Sequence, residues 1–176
     1  MVKQIAILTF ILLYCLLTHG QTEMESEKNL NYNIQVDTTN IAIIPLNTIQ
    51  YRIFEDAKPT KLTNNDLISI EKILSHCILD YNEQQEKKFN ELKEDHPDYN
   101  LDKNYFIIDL DRYKRQYVAI INLNGEKEVW INCFCIADPN WKTDLIIVDD
   151  GGNCFFNLKI NLTTEEYRDF YVNGDA

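Results

Sequence analysis

The second half of the chain repeats with the period of β-strands, and this feature limits the possible folds most. From Asn104 onward five segments have the composition of strands, namely residues 104–110, 115–122, 127–136, 144–149 and 154–162. Asn124-Gly125 between the second and third segments predicts a hairpin with a type I′ turn. The acidic and glycine residues 149–152 predict a turn between the last two strands. Successive turns of this kind indicate an antiparallel sheet.

A helix precedes these strands, and its first residue is well marked. Thr63 lies three residues before Asp66, so each side chain is placed to bond an amide near the other. Apolar residues then follow at spacings of three and four: Leu67, Ile70, Ile73, Leu74, Cys77, Ile78 and Tyr81. Residues 82–95 are mostly charged and predict a solvated end before Pro97.

One helix followed by antiparallel strands predicts an α+β fold, in which one long amphipathic helix packs on a curled antiparallel β-sheet. Before the helix, Ile49, Tyr51 and Ile53 alternate with other residues and indicate at least one further strand. Residues 163–176 fit an edge strand or a short helical turn. We expect a single domain over residues 41–176, a length that supports a real core.

The N-terminal residues indicate export. Lys3 and the apolar run from Ile5 to Leu17 form a signal peptide over residues 1–20, cleaved near Gly20. The run is shorter than a membrane span needs, so we expect a secreted or periplasmic protein with no membrane insertion after cleavage. A lipid anchor at Cys15 fits less well, because Tyr14 precedes it and leucines follow. Residues 21–40 are predicted to be a flexible polar tether.

Composition excludes several classes of partner. A net charge of −11 disfavours nucleic acid and anionic membrane surfaces. Apolar residues make up 45% of the chain and aromatic residues 11%, which is too hydrophobic for a disordered chain. We therefore expect a folded domain with a protein or cell-surface partner.

Four cysteines outside the predicted signal peptide are candidates for chemistry. Alternation along residues 129–135 places Cys133 and Cys135 on one face of a strand, together with Val129 and Ile131. Cys154 shares a strand face with apolar residues, and Cys77 lies on the apolar stripe of the helix. All four are predicted to converge where the helix meets the sheet.

Four interpretations of this cysteine cluster stay open. A disulfide between Cys133 and Cys135 is disfavoured, because same-face neighbours in one strand lie about 6.5 to 7 Å apart at Cα. A bridge from either residue to Cys154 or Cys77 suits an exported protein. The other interpretations are buried thiols, a zinc site without the usual C-x-x-C knuckle and a catalytic thiol pair.

The sequence indicates no complete catalytic site and no cofactor. A cysteine nucleophile needs a base, and the only histidines outside the signal peptide are His76 and His96. His76 adjoins Cys77 but points about 100° away on a helix. Two acidic pairs, Asp109 with Asp111 and Asp149 with Asp150, fit turn chemistry better than a calcium loop. Asn161-Leu162-Thr163 is a glycosylation sequence only in a eukaryote.

Two resemblances accompany these patterns. Residues 129–162, with residues 67–82 upstream, resemble a group of small exported proteins of Bacteroidetes-type bacteria, which implies export and one helix-plus-sheet domain but no reaction. The order of helix and strands is also similar to that of cystatins, a family of protease inhibitors. Gln116 to Ile120 and Pro139-Asn140-Trp141 match the cystatin segments in part, with Ile120 replacing a glycine and Asn140 separating Pro139 from Trp141.

These observations predict a non-enzymatic exported binding or accessory module. We expect contact through aromatic residues of the sheet and loops, with Trp141 first and Tyr117 and Trp130 beside it. The first alternative is a thiol-based redox or zinc-binding protein that uses Cys133, Cys135 and Cys154. The second alternative is a cystatin-like protease inhibitor.

Overall fold

The structure is a computed structural model that describes residues 36–46, 56–136 and 138–174. Four predicted features lie outside the described residues: the signal peptide, Cys15, residues 21–35 of the tether and the strand around residues 49–54. The described elements are β1 (Ile41–Ile43), β2 (Lys58–Pro59), α1 (Asn64–Asp95), β3 (Lys114–Ile121), β4 (Lys127–Phe134), β5 (Phe155–Asn161) and β6 (Glu166–Val172). Short 3-10 turns occupy Lys103–Tyr105, Leu110–Arg112 and Gly152–Cys154.

The fold is α+β, as predicted, but its sheet is mixed. The strand order is β1-β3-β4-β5-β6, and β2 also pairs with β3. β1 runs parallel to β3, whereas all other described pairs are antiparallel. The prediction of an entirely antiparallel sheet is therefore wrong at β1. The long α1 helix that separates β1 from β3 in sequence permits this crossover.

Helix α1 begins as the sequence predicts. The Thr63 amide donates to Asp66 Oδ2 at 2.6 Å, and the Asp66 amide donates to Thr63 Oγ1 at 3.2 Å, which completes a capping box. The apolar stripe packs on one face of the sheet in what we call the helix-side core, whose fully or nearly buried members include Ile70, Leu74, Cys77, Tyr117, Ile131, Cys133, Phe156 and Leu158. The second half of the helix is mostly exposed.

The opposite face of the sheet has a smaller core without a helix. It contains Ala42, Ile44, Val118, Ile120, Trp130, Phe134 and Trp141. Residues 138–151, which we call the covering loop, connect β4 to β5 and lie over part of this face, with Leu145 and Ile146 packed against the core. We call this the loop-side core.

Two predicted strands are absent. Residues 104–110 consist of 3-10 turns and irregular backbone, and residues 144–149 of the covering loop are irregular. Their backbone groups bond to side-chain amides instead of a neighbouring strand. Asn82 Nδ2 donates to the Ile108 carbonyl at 2.8 Å, and the Ile108 amide donates to Asn82 Oδ1 at 2.8 Å. Residues 149–152 therefore lie where the covering loop ends before β5, and they do not form a turn between two strands.

The hairpin at Asn124-Gly125 exists, but with a different turn. The Asn122 amide donates to the Glu126 carbonyl at 2.9 Å, and the Gly125 amide donates to the Asn122 carbonyl at 3.0 Å. In this turn Gly125 alone has a positive φ, of 80°. This is the three-residue type, a type I turn followed by a left-handed residue. The prediction of a type I′ turn is wrong, because only the glycine takes the left-handed conformation.

The C-terminal residues form an edge strand, one of the two predicted outcomes. β6 pairs with β5 through a register shift between Asn157 and Lys159, and Asp169 within it has a φ of 55°. An irregular, charged edge strand resists pairing with other chains. Among the described residues, no helix is long and apolar enough to span a bilayer.

Candidate functional site

Two of the four cysteines form a disulfide. Cys135, just after β4, bonds to Cys154, just before β5, with a Cα separation of 5.1 Å. The Cys135 amide also donates to the Cys154 carbonyl at 3.0 Å. The bridge joins the two ends of the covering loop. It is one of the pairings that the sequence allowed.

The other two cysteines are buried thiols in the helix-side core. Burial raises the pKa of Cys77 to about 11, and burial raises the pKa of Cys133 further, against the opposing charge of Arg115. Both groups therefore stay protonated near neutral pH, and a protonated thiol is a poor nucleophile and metal ligand. In the described part of the chain, no three histidine, cysteine or acidic side chains converge as metal ligands. The predicted four-cysteine cluster divides into one bridge and two separate thiols.

The remaining catalytic candidates have structural partners. His76 Nε2 lies 3.6 Å from Asp80 Oδ2 on the helix surface, and the His96 ring stacks on Tyr99. Asp109 Oδ1 accepts the Asp111 amide at 3.2 Å and caps a 3-10 turn.

The three aromatic residues predicted for binding are buried. Tyr117 is 0% exposed, and Trp130 and Trp141 are each 6% exposed. The Tyr117 hydroxyl donates to Glu71 Oε1 at 2.6 Å in the helix-side core. Trp141 packs edge-on against Phe134 with ring centroids 6.1 Å apart. Tyr117 and Trp141 thus serve as packing anchors, and the role of all three in binding stays a prediction.

A row of polar side chains crosses the loop-side face and defines a different candidate. Gln116 on β3 is opposite Asn132 on β4, Asn132 is opposite Asn157 on β5, and Asn157 is opposite Tyr171 on β6. Residues directly opposite in a sheet point to the same face. We call these four residues the polar row.

The inner half of the polar row holds the covering loop. Gln116 Nε2 donates to the carbonyls of Trp141 at 2.6 Å and Asp144 at 2.7 Å, and Gln116 Oε1 accepts the Ile146 amide at 3.0 Å. Asn132 Nδ2 donates to the Ile146 carbonyl at 2.6 Å. Gln116 is 0% exposed and Asn132 is 7% exposed, so these bonds satisfy amides that burial would otherwise leave unpaired.

The outer half of the polar row is open. The Asn157 amide and the Tyr171 hydroxyl have no side-chain hydrogen-bond partner among the described residues, and Tyr171 is 58% exposed. Both side chains line a cleft of about 360 Å³ beside residues 147–149 of the covering loop. Trp130, Phe155, Ile147 and Val148 supply its apolar surface. The volume is within the range of small-ligand pockets.

Trp130 lines the cleft and carries a further donor without a partner among the described residues. Its indole Nε1 has no acceptor in the part of the chain that the structure describes, although the residue is 6% exposed. Among the described residues, Arg115 Nε is the only fully buried side-chain nitrogen or oxygen atom without a hydrogen-bond partner. The Trp130 Nε1 atom therefore keeps some contact with solvent. A tryptophan N–H in so covered a position usually has a partner. Trp130 is the one predicted binding residue that also lines the cleft.

The charge of the cleft is negative. Asp149 at its rim is exposed and makes no ion pair with a described residue, and no residue lining the cleft is basic. Beyond the cleft, Lys159 lies 3.1 Å from Asp169 and lowers the pKa of that carboxyl, while Arg168 contacts Glu128 at 3.1 Å. Lys159 and Arg168 are thus paired with acidic residues outside the cleft.

Sequence reasoning missed Asn157 and Tyr171. The alternation of β5 places Asn157 opposite the core residues Phe156 and Leu158, but this indicates only a residue outside the helix-side core. The signal lies in the strand register, which aligns four polar side chains from four strands.

Fold and site define an α+β domain with one helix, a mixed sheet and a preformed polar cleft on the face opposite the helix. Comparison of the chain with protein-family models, curated proteins and solved structures found no match.

Proposed function

We propose that the protein is an exported, non-enzymatic binding module that holds its partner at the cleft of the loop-side face. The observation that carries the proposal is the open half of the polar row. Asn157, Tyr171 and the Trp130 indole offer unpaired hydrogen-bonding groups at a preformed cavity of about 360 Å³. In a typical recognition site, polar groups of this kind fix the orientation of the ligand.

Export is supported by two independent features. The apolar run from Ile5 to Leu17 has the length and flanks of a signal peptide. The Cys135–Cys154 disulfide suits an oxidising compartment such as the periplasm or the exterior.

The two alternative functions receive less support from the described residues. A thiol or zinc function needs accessible thiolates, and Cys133 is buried with a raised pKa while Cys135 is bridged. A cystatin-like architecture with inhibitory activity needs exposed contact segments, whereas Gln116 and Trp141, which carry that similarity, are 0% and 6% exposed. A binding function at the polar cleft requires neither accessible thiolates nor exposure of Gln116 and Trp141.

A photo-cross-linking experiment in the producing cells tests the proposal. Tyr171 is replaced by a photoreactive phenylalanine analogue, and Tyr105, which is 73% exposed and does not line the cleft, is replaced in the same way as a control. We expect a discrete adduct after irradiation from position 171 and none from position 105. Identical adduct patterns from both positions would contradict a binding role for the cleft.

A further inference from the structure

The protein repeatedly uses side-chain amides to hold irregular backbone. Five residues do this for non-strand segments at least 14 residues away in sequence, namely Asn82, Gln116, Asn132, Asn153 and Asn173. Asn82 is the fullest example, because it donates to the carbonyl and accepts from the amide of the same residue, Ile108. An amide side chain can bond the N–H and the C=O of one residue because it carries a donor and an acceptor.

Asn157 has the same chemistry and no segment to hold. It lies directly beside Asn132 in the polar row, and Asn132 bonds the covering loop at Ile146. A peptide bound in the cleft alongside residues 147–149 would contact Asn157 in the same way as the backbone of the covering loop contacts Asn132. Asn173, at the cleft wall, is already occupied by the carbonyls of Val148 at 2.5 Å and Asp150 at 3.0 Å.

From this arrangement we propose that the cleft binds an extended peptide segment of a partner protein through its main chain. Asn157 donates to the carbonyl and accepts from the amide of one residue of this segment, and Asp149 pairs with a basic side chain of the same segment. This inference rests on the proposed function and names the chemistry of its partner.

The other surfaces of the cleft fit such a segment. Side chains of an extended peptide alternate in direction, so those facing the sheet meet the apolar surface of Trp130 and Phe155. The lone carboxylate of Asp149 and a net charge of −11 favour a basic or neutral peptide over an anionic ligand.

Nuclear magnetic resonance of the ¹⁵N-labelled, oxidised protein tests the inference with three capped pentapeptides. The parent probe is acetyl-Thr-Val-Lys-Val-Thr-amide, whose β-branched residues favour an extended chain. The second probe carries methyl groups on its three central backbone nitrogens, and the third has glutamate in place of lysine. Maltotriose serves as a neutral, hydroxyl-rich probe without peptide groups.

We expect the parent peptide to shift the Asn157 side-chain amide and Trp130 indole signals in a saturable manner. Losing a main-chain hydrogen bond should weaken binding of the methylated peptide roughly two- to tenfold, and glutamate should weaken it as well. Asn157→Ala should remove the difference between parent and methylated peptides. Asn90→Ala, at an exposed asparagine of α1, should keep that difference.

Three results would overturn the inference. Equal affinity for the parent and methylated peptides would exclude main-chain recognition. Shifts at Asn157 with maltotriose and not with the parent peptide would keep the cleft as the binding site but assign it another ligand class. No shift at Asn157 with any probe would refute peptide binding, and the proposed function would then fall only if the Tyr171 cross-link is also absent.

Discussion

The two faces of the sheet are buried in different ways. On the helix-side face, large apolar side chains from α1 and the sheet pack together around the Glu71, Arg115 and Tyr117 cluster, and the Asn82 amide and Tyr113 hydroxyl bond the backbone of Ile108 and Asn153. On the loop-side face, a smaller apolar core is combined with buried amides that bond the backbone of the covering loop. A sheet face can thus be covered by irregular chain, provided that side chains form hydrogen bonds with the backbone groups of that chain.

The covering loop leaves part of the loop-side face open. The covering loop spans only the β3 and β4 half of the polar row, so Asn157 and Tyr171 remain open. A face covered by a loop can therefore present the same hydrogen-bonding chemistry to a second chain. The following predictions test this comparison, from the largest expected effect to the smallest.

Truncation in the helix-side core should cost the most stability. Leu74 is 0% exposed beneath the sheet, so Leu74→Ala removes buried methyl groups and leaves a cavity. We expect a loss of about 2 to 5 kcal/mol in the free energy of unfolding, measured by urea denaturation. Leu79→Ala, at a leucine that is 58% exposed on the same helix, is the matched control and should change stability little. Equal losses would show that α1 does not pack as described.

Removing the disulfide should destabilise the protein by a comparable but smaller amount. Cys135 and Cys154 are separated by 19 residues. In the chain-entropy account, loss of a disulfide that closes a loop of this size lowers the free energy of unfolding by about 3 kcal/mol. The double variant Cys135→Ala with Cys154→Ala should therefore unfold at lower urea concentration. A reductant should lower the stability of the wild type and leave the double variant unchanged. If the reductant breaks the disulfide of the wild-type protein but does not lower its stability, this result would contradict a stabilising role for the bridge.

Loss of the Gln116 amide should loosen the covering loop selectively. Gln116→Ala leaves two carbonyls and the Ile146 amide without their buried partner, at a cost of about 1 to 3 kcal/mol. Local opening should speed trypsin cleavage after the exposed Lys142. Gln84→Ala, at an exposed helical glutamine, should leave cleavage unchanged. If Leu74→Ala accelerates this cut as much as Gln116→Ala does, the two faces do not differ in the way described.

Loss of the Asn157 amide should have the smallest effect on stability. Its side chain bonds to no described residue, so Asn157→Ala should change the free energy of unfolding by less than about 0.5 kcal/mol, as at an ordinary surface position. Thermal unfolding of this variant beside Gln116→Ala checks the contrast. A loss as large as that of Gln116→Ala would mean that Asn157 is already engaged within the fold.

The sequence predicts the features that depend on local patterns and misses those that depend on residues far apart in the chain. Short-range sequence patterns predict three features that are confirmed: the capping box of Thr63, the apolar stripe through Leu74 and the alternation around Cys133. Residues 104–110 and 144–149 contain apolar pairs typical of strands, yet amides far away in sequence bond their backbones. Asn157 could not be recognised either, because its significance depends on the register of three neighbouring strands.

Hydrogen exchange of the side-chain amides in the polar row tests the central claim most directly. In the free, oxidised protein, each NH₂ group is observed in its own ¹⁵N signal. The account predicts that the amides of Gln116 and Asn132 exchange slowly, because they bond the covering loop, and that the amide of Asn157 exchanges at the rate of a solvent-exposed asparagine. Protection of Asn157 equal to that of Asn132 would show that the outer half of the row is closed, and would contradict a binding site there.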